Sequence, residues 1–148
     1  MKYFCVFSLL IISVGGCSSG PLIKDANYYY ARGVQLAEND HFEEATSCFK
    51  KVLELKPNHP TAHYNLGVIY DEKVMPTEAM AAYRKAIQID PRSYEAWYKL
   101  GILEGLEGND AEAMRCFREV IKIEPKHQGA HYNLAVLYNE RGDQEKGH

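Results

Sequence analysis

A period of 34 residues runs through most of the chain and constrains its fold more than any other feature. Four kinds of residue recur at this spacing: a glycine, a proline, an alanine and an aromatic residue. Their positions are Gly33, Gly67 and Gly101; Pro57, Pro91 and Pro125; Ala45, Ala79 and Ala113; and Phe49, Tyr83 and Phe117. Four columns with one period predict a stack of similar units, each burying its apolar face against its neighbours.

The apolar residues inside each unit follow a helical pattern. In the segment 62–71, His63, Leu66 and Tyr70 recur at steps of three and four residues, so they share one helix face. The segment 78–89 repeats this pattern, and a proline follows it, where it would end the helix. Each unit is therefore predicted to be two helices joined by a turn.

These columns resemble the tetratricopeptide repeat, in which W, L-G, Y, A, F and P occupy fixed offsets. The third unit carries Trp97, Leu100, Gly101, Ala113, Phe117 and Pro125 at those offsets. The resemblance implies an all-α fold, a right-handed superhelical solenoid of helix-turn-helix repeats. It divides the chain into repeats at 26–59, 60–93 and 94–127, with a partial fourth repeat or capping helix at 128–148.

Two residues depart from the repeat pattern inside the array. Arg32 replaces the usual Leu in the first repeat, where a polar residue suits the outer face of a terminal unit. Glu104 replaces the usual Tyr in the third repeat, with Gly105 and Gly108 nearby. Because an interior glycine weakens a helix, we expect the first helix of the third repeat to be looser at its end.

The C-terminal residues also depart from the pattern. Residues 141–146 predict a turn into a final second helix, with little sequence after it. The last first helix carries Leu134, Leu137 and Tyr138, and we expect nothing that follows them to cover them. These three residues are candidates for a C-terminal contact with a partner, or with a second copy of the chain.

The first 17 residues, MKYFCVFSLLIISVGGC, have the parts of a secretory signal peptide. The apolar run is shorter than the about 20 residues of a membrane-spanning helix, and a buried helix is the alternative interpretation. Residues 14–17 resemble the lipobox of bacterial lipoproteins. That resemblance implies a signal peptide at 1–16, lipidation of Cys17, and a short tether within 17–25. Ser18 after the cysteine resembles lipoproteins that are sent on to an outer membrane, which implies anchoring at its periplasmic face.

The first helices line a concave groove in the repeat family, and the resemblance implies such a groove here. Two more sets of residues recur every 34 positions along these first helices. The candidate peptide-binding residues are Tyr30, Tyr64, Asn65, Tyr98, Lys99, Tyr132 and Asn133. Tyrosine offers rigid contact area and the asparagine amide can hold a peptide backbone, so we expect a protein or peptide partner. The alternative is that these are ordinary residues of the repeat, without a ligand.

The charge of the predicted groove narrows the kind of ligand. Some family members hold a C-terminal carboxylate with Lys, Arg and Asn side chains from three repeats, and only Asn65 and Lys99 fit that set. A clamp for a carboxylate tail is therefore not expected. Acidic residues near the ends of the first helices favour a basic or neutral ligand. These residues are Glu38, Asp71, Glu72 and Glu140.

Composition and motifs argue against several other functions. The chain has 17 Lys and Arg against 20 Asp and Glu, a net charge of −3, and so lacks the basic excess of a nucleic-acid-binding protein. His59 with His63, and His127 with His131, have the spacing of zinc ligands, but no third ligand can be named. We therefore assign these histidines to packing and predict no metal or cofactor. No nucleophile motif or phosphate-binding loop occurs, so no enzyme activity is predicted.

The sequence thus predicts a lipid-anchored interaction scaffold that holds a partner protein in the bacterial envelope. It resembles small repeat-containing lipoproteins, either pilotins of type IV pilus secretins or adaptors of envelope proteases, which suggests a role in pilus or secretion assembly. The alternatives are a self-associating structural lipoprotein and a truncated paralogue of a longer repeat protein.

Overall fold

The computed structural model describes residues 24–146, and every regular element in this range is a helix. The seven helices are α1 (Ala26–Glu38), α2 (Phe42–Leu55), α3 (Pro60–Glu72), α4 (Pro76–Ile89), α5 (Tyr94–Leu106), α6 (Asp110–Ile123) and α7 (Gln128–Lys146). The all-α prediction is confirmed for this range. The predicted signal peptide, the lipidation site at Cys17 and all but the last two residues of the tether lie outside the described residues.

Local signals set the starts of several helices. The carboxylate of Asp25 accepts a hydrogen bond from the Tyr28 backbone N–H at 2.9 Å and so caps α1. The Nδ1 atoms of His59 and His127 take the same role for α3 and α7, accepting from the backbone three residues on. Prolines open α3 and α4, where their missing N–H costs nothing.

The helices pack in chain order. Within each repeat the first helix packs against the second, in the pairs α1–α2, α3–α4 and α5–α6. Each second helix then packs against the first helix of the next repeat. Because α1 also touches α3, the first helices of neighbouring repeats lie side by side and form one face of the stack.

A glycine under an aromatic ring holds the two helices of each repeat together. Tyr83 of α4 is fully buried and lies over Gly67 of α3. A Cβ atom on Gly67 would lie only 2.6 Å from Cε1 of Tyr83. Gly33 with Phe49, and Gly101 with Phe117, make the same contact, at 3.0 and 2.9 Å. The glycine column therefore exists because only a missing side chain lets the helices approach this closely.

Glu104 occupies a buried site that the sequence did not predict. Its side chain is 1% exposed, and it forms an ion pair with Arg84 of α4. Asn109 donates to the second carboxylate oxygen at 2.9 Å. The expected loosening of the helix end is not seen: α5 has 13 residues, as α1 and α3 do, and Gly108 lies beyond it in the turn.

The predicted turn at the C-terminus is wrong, because α7 continues as one helix to Lys146. In the other repeats the turn contains a residue with positive φ: Asp40 at 60°, Val74 at 57° and Gly108 at 78°. Gly142 stands next in this register but lies inside α7. The earlier turns are stabilised by 14-residue second helices that pack back on the first helices.

The preceding helices cover part of the C-terminal candidate residues Leu134, Leu137 and Tyr138. Both leucines pack in part against the core formed by α5 and α6. Tyr138 is 49% exposed, and an arginine of α6 contacts its ring from one side. A contact between these residues and a partner stays a prediction.

The contact between glycine and aromatic ring yields a test with a matched control. Gly67→Ala should lower the free energy of unfolding by about 2 kcal/mol, because the new methyl group would overlap Tyr83. Gly105→Ala should instead raise it by about 0.5–1 kcal/mol, because its Cβ would meet the nearest atom, in Ala113, at an ordinary 3.7 Å and alanine favours helix. Urea unfolding followed by circular dichroism measures both. Equal effects of the two substitutions would contradict the role of the glycine.

Candidate functional site

One opening on the face formed by the first helices lies between α1 and α3. Its apolar floor contains Val34 and Ala37 of α1, Val68 and Ile69 of α3, and the ring of Phe49. The cavity has a volume of about 400 Å³, enough for one or two side chains of a ligand. We call it the α1/α3 pocket.

Carboxylates surround the α1/α3 pocket. Glu38, Asp40 and Glu72 line it, and all three are exposed. Among the side chains that the structure describes, none of them forms an ion pair. Three uncompensated negative charges around an apolar floor favour a ligand that offers an apolar side chain next to Lys or Arg. The sequence predicted an acidic groove, and the structure brings two of the four predicted acids, Glu38 and Glu72, to this pocket.

A second apolar pocket, of about 200 Å³, lies at the equivalent place between α5 and α7. Ile102 and Val136 line it where Val34 and Val68 line the first. These four half-buried residues are 34 positions apart, and sequence reasoning missed them. Their shared spacing and branched aliphatic side chains were the signal that could have identified them, because a recurrent apolar residue outside the repeat motif marks a second apolar face.

An ion pair separates the two pockets. Lys99 of α5 donates to Asp71 of α3 at 3.5 Å, and both side chains are about one-third exposed. Lys99 occupies the place that asparagine holds in the second and fourth repeats. Of the candidate binding residues, Lys99 is therefore the one engaged by a neutralising partner.

The rings of three candidate tyrosines mainly pack within their own repeats. Tyr30, Tyr64 and Tyr98 are half-buried, and each packs on the aromatic ring of its own second helix with centroids 5.7–5.9 Å apart. Tyr30 also stacks on His59 at 5.2 Å, at the start of the next repeat. Tyr132 of α7 is 70% exposed. The tyrosine column therefore contributes to the wall of the groove through contacts that already occupy its rings.

The candidate asparagines lie in the two pockets. Asn65 lines the α1/α3 pocket and Asn133 lines the second pocket. Each amide group donates to the hydroxyl of the tyrosine 35 positions earlier, Tyr30 or Tyr98, at a long 3.5 Å. The long distance and partial burial leave both amides able to bond to a ligand.

The histidine pairs have structural roles. Nε2 of His63 lies 3.2 Å from the carbonyl oxygen of Pro57, and Nε2 of His131 lies 2.9 Å from that of Pro125. The indole N–H of Trp97 donates to Pro91 at 3.0 Å in the same way. His59 and His127 cap helices, as described above. No group of three or more His, Cys, Asp or Glu side chains suited to a metal ion occurs in the described part of the chain.

The burial of His63 leads to a prediction about how folding stability depends on pH. Burial disfavours the imidazolium form and lowers the pKa of His63, although the Pro57 carbonyl opposes this. A lowered pKa in the folded state means that stability is full above the ordinary value of about 6.5 and falls as the pH drops below it. In His63→Trp the indole N–H can donate to the Pro57 carbonyl, as the indole of Trp97 donates to Pro91 in the next repeat. This variant should lose less folding stability than the parent chain between pH 7.5 and 5.5, because its side chain does not titrate. Urea unfolding at several pH values measures this, and equal losses in the two chains would contradict it.

None of the helices within residues 24–146 is both long and apolar enough to cross a membrane.

Comparisons with known proteins agree on the kind of repeat. Three tetratricopeptide repeat models match residues 30–94, 94–127 and 116–148. A comparison with curated protein sequences finds no match.

Three solved structures are similar over most of this chain. The first TPR of Spaghetti (RPAP3), bound to an HSP90 peptide, has a TM-score of 0.74 at 18% identity, covering 80% of this chain and 94% of that one. The Sgt2 TPR domain from Aspergillus fumigatus has 0.71 at 16%, covering 86% and 88%. YrrB, described as a TPR protein with an unusual peptide-binding site, has 0.70 at 27%, covering 82% and 62%. The predicted repeat solenoid is confirmed by these similarities.

Proposed function

Because the chain belongs to the tetratricopeptide repeat proteins, we propose that it is a non-catalytic interaction module that binds a segment of a partner protein in the α1/α3 pocket. The observation that carries this proposal is an apolar cavity surrounded by three carboxylates without ion-pair partners among the described residues. The binding of peptides by similar repeat domains, such as the HSP90 peptide on Spaghetti, supports the same kind of function.

The floor of the pocket favours an aliphatic or aromatic side chain of the partner. Val34, Val68 and the ring of Phe49 offer only apolar surface there, and burying a ligand side chain against them removes apolar area from water. Asn65 at the edge offers one amide to the peptide backbone. These contacts supply the affinity, and the surrounding carboxylates supply the preference among sequences.

The carboxylates favour a basic segment and disfavour an acidic tail. Glu38 and Glu72 extend from neighbouring helices to the same opening, so a Lys or Arg beside the buried side chain would meet negative charge on both sides. Lys99 is paired with Asp71, and Glu95 stands where a tail clamp would need a cation. The proposed ligand is therefore a basic segment of the partner and not its C-terminal carboxylate.

A peptide selection tests the ligand class. The full chain is used to select from a random 12-residue peptide library, and we expect enrichment of an apolar residue flanked by Lys or Arg. Glu72→Lys should weaken binding of a selected peptide about fivefold, since it reverses one charge at an exposed site. Fluorescence anisotropy measures the affinity.

Glu78→Lys is the matched control, because it makes the same charge change on the exposed start of α4. It should leave the affinity unchanged. Selection of peptides with an acidic C-terminus, or equal loss in both variants, would contradict the proposed ligand class.

Val68→Asp should abolish binding if the apolar floor is the contact, and unchanged binding would locate the ligand elsewhere.

We further propose that the module is a lipoprotein held in the bacterial envelope by a lipid on Cys17. Support comes from the charged start, the apolar run and the small residues before this cysteine. A role in pilus or secretion assembly is part of the same proposal and is supported by the resemblance to pilotins and adaptors. The alternatives are a self-associating structural lipoprotein and a truncated paralogue.

Replacing the acceptor cysteine tests the anchor. Cys17→Ser should stop incorporation of labelled palmitate, because the serine hydroxyl cannot form the thioether to the lipid. It should also stop signal cleavage and leave a precursor of higher mass, visible by immunoblot after membrane fractionation. Cys5→Ser, inside the predicted signal peptide, is the control and should behave as the parent chain does. Palmitate labelling that survives Cys17→Ser would overturn the proposal.

A further inference from the structure

One face of α7 is exposed where the equivalent face of every earlier first helix is covered. With 100° between successive residues, the face centred on Ala135 contains residues three, four and seven positions away on either side. Its exposed members are Gln128, His131, Tyr132, Ala135, Tyr138 and Asn139. Gly33, Gly67 and Gly101 occupy the place of Ala135 in the other repeats, and all three are buried under an aromatic ring.

The exposed face of α7 carries no formal charge between Gln128 and Asn139. It presents two large aromatic residues instead, Tyr132 at 70% exposure and Tyr138 at 49%. An exposed helix face normally carries charged residues, and clustered exposed tyrosines are typical of protein contact surfaces. The lack of charge among the α7 residues fits a partner helix face that is also uncharged, since a charged one would lose hydration without gaining an ion pair from α7. The charged group beside this face is Arg118 of α6, which contacts Tyr138.

The same face is self-complementary about Ala135. Tyr132 lies three residues before Ala135 and Tyr138 lies three after it, while His131 and Asn139 lie four residues to either side. A two-fold axis through Ala135 that makes two α7 helices antiparallel brings Tyr132 of one copy to the level of Tyr138 of the other. It also brings His131 level with Asn139, a pair that can hydrogen-bond. Each contact then occurs twice, as in an isologous dimer.

The centre of this face allows close approach, and one of its tyrosines is already held in place. Ala135 has the smallest side chain that a non-glycine residue can present, so two helices can cross there at about 8 Å. Arg118 of α6 donates to the Tyr138 hydroxyl at 2.6 Å, and its guanidinium lies 5.7 Å from the ring centroid. Tyr138 therefore loses little side-chain entropy on binding.

We propose that two copies of this chain associate through the exposed faces of α7, with the helices antiparallel and crossing at Ala135. Each α7 then covers the other in the way that a second helix covers α1, α3 and α5. The contact lies apart from the α1/α3 pocket, so a dimer would present two copies of that pocket. The proposal does not depend on what the pocket binds.

Engineered cysteines test both the contact and its direction in the full chain, purified in a mild detergent. Ala135→Cys places two thiols beside the two-fold axis, within reach of a disulfide. Mild oxidation should shift most of this variant to twice its monomer mass. The parent chain, which keeps the native cysteines, gives the background, and Cys48 and Cys116 are buried. Gln88→Cys, on the exposed side of α4, is the matched control and should stay at that background.

The direction of the helices is tested with a mixture of two variants. Gln128→Cys mixed with Gly142→Cys should form a disulfide dimer, because these positions lie seven residues to either side of Ala135. Neither variant should crosslink alone, since identical positions are about 21 Å apart along antiparallel helices. Crosslinking of each variant alone would show a parallel pair and overturn the proposal.

A measurement without disulfides completes the test. Ala135→Arg places a long charged side chain at the crossing point and should convert the dimer to a monomer in sedimentation equilibrium. Gln88→Arg should leave the dimer intact. A monomeric parent chain, or an Ala135→Cys variant that crosslinks only to a different protein in cells, would overturn the proposal and show that another partner covers α7.

Discussion

The contact between a backbone glycine and a buried aromatic ring is the interaction on which the rest of the structure depends. Three repeats place a ring of the second helix within about 3 Å of where a Cβ would be on the first helix. That spacing fixes how far apart the paired helices lie, and Tyr30, Tyr64 and Tyr98 of the first helices pack on the same rings. The wall of the groove is therefore built on the packing that joins each helix pair.

The proposed binding of a ligand depends on residues that differ from one repeat to the next. The backbone is nearly the same in each repeat, but the residue next to the tyrosine is asparagine in two repeats and lysine in one. Asparagine leaves an open apolar pocket beside Val68 or Val136, whereas Lys99 forms an ion pair with Asp71. The Lys99–Asp71 ion pair thus occupies the place between α3 and α5 where the flanking helix pairs have apolar pockets, and carboxylates line the first of those pockets.

Much of the fold could be predicted because its determinants are local or periodic. The glycine, proline and aromatic columns indicated the helix pairs, and Pro57, Pro91 and Pro125 do follow the ends of α2, α4 and α6. The buried Glu104 could not be predicted, because its partner Arg84 lies 20 residues away and outside any repeat column. The continuation of α7 was also missed: Gly142 has the register of a turn, yet it lies inside α7.

The candidate site was predicted in part. The sequence identified Asn65 and Asn133, but it emphasised the tyrosines, which are common in peptide-binding surfaces, and overlooked Val34, Val68, Ile102 and Val136.

By itself the sequence determined the helices, their pairing and the stack, because each of these depends on residue spacing along a regular helix. Only the tertiary structure decided which residues of the first helices remain free to contact a ligand. Tyr30 and Asn65 are 35 positions apart, and whether they meet each other or a ligand depends on how neighbouring repeats stack. The tertiary structure also decides which face of α7 is exposed, because exposure depends on what packs against a helix and not on the residues within it.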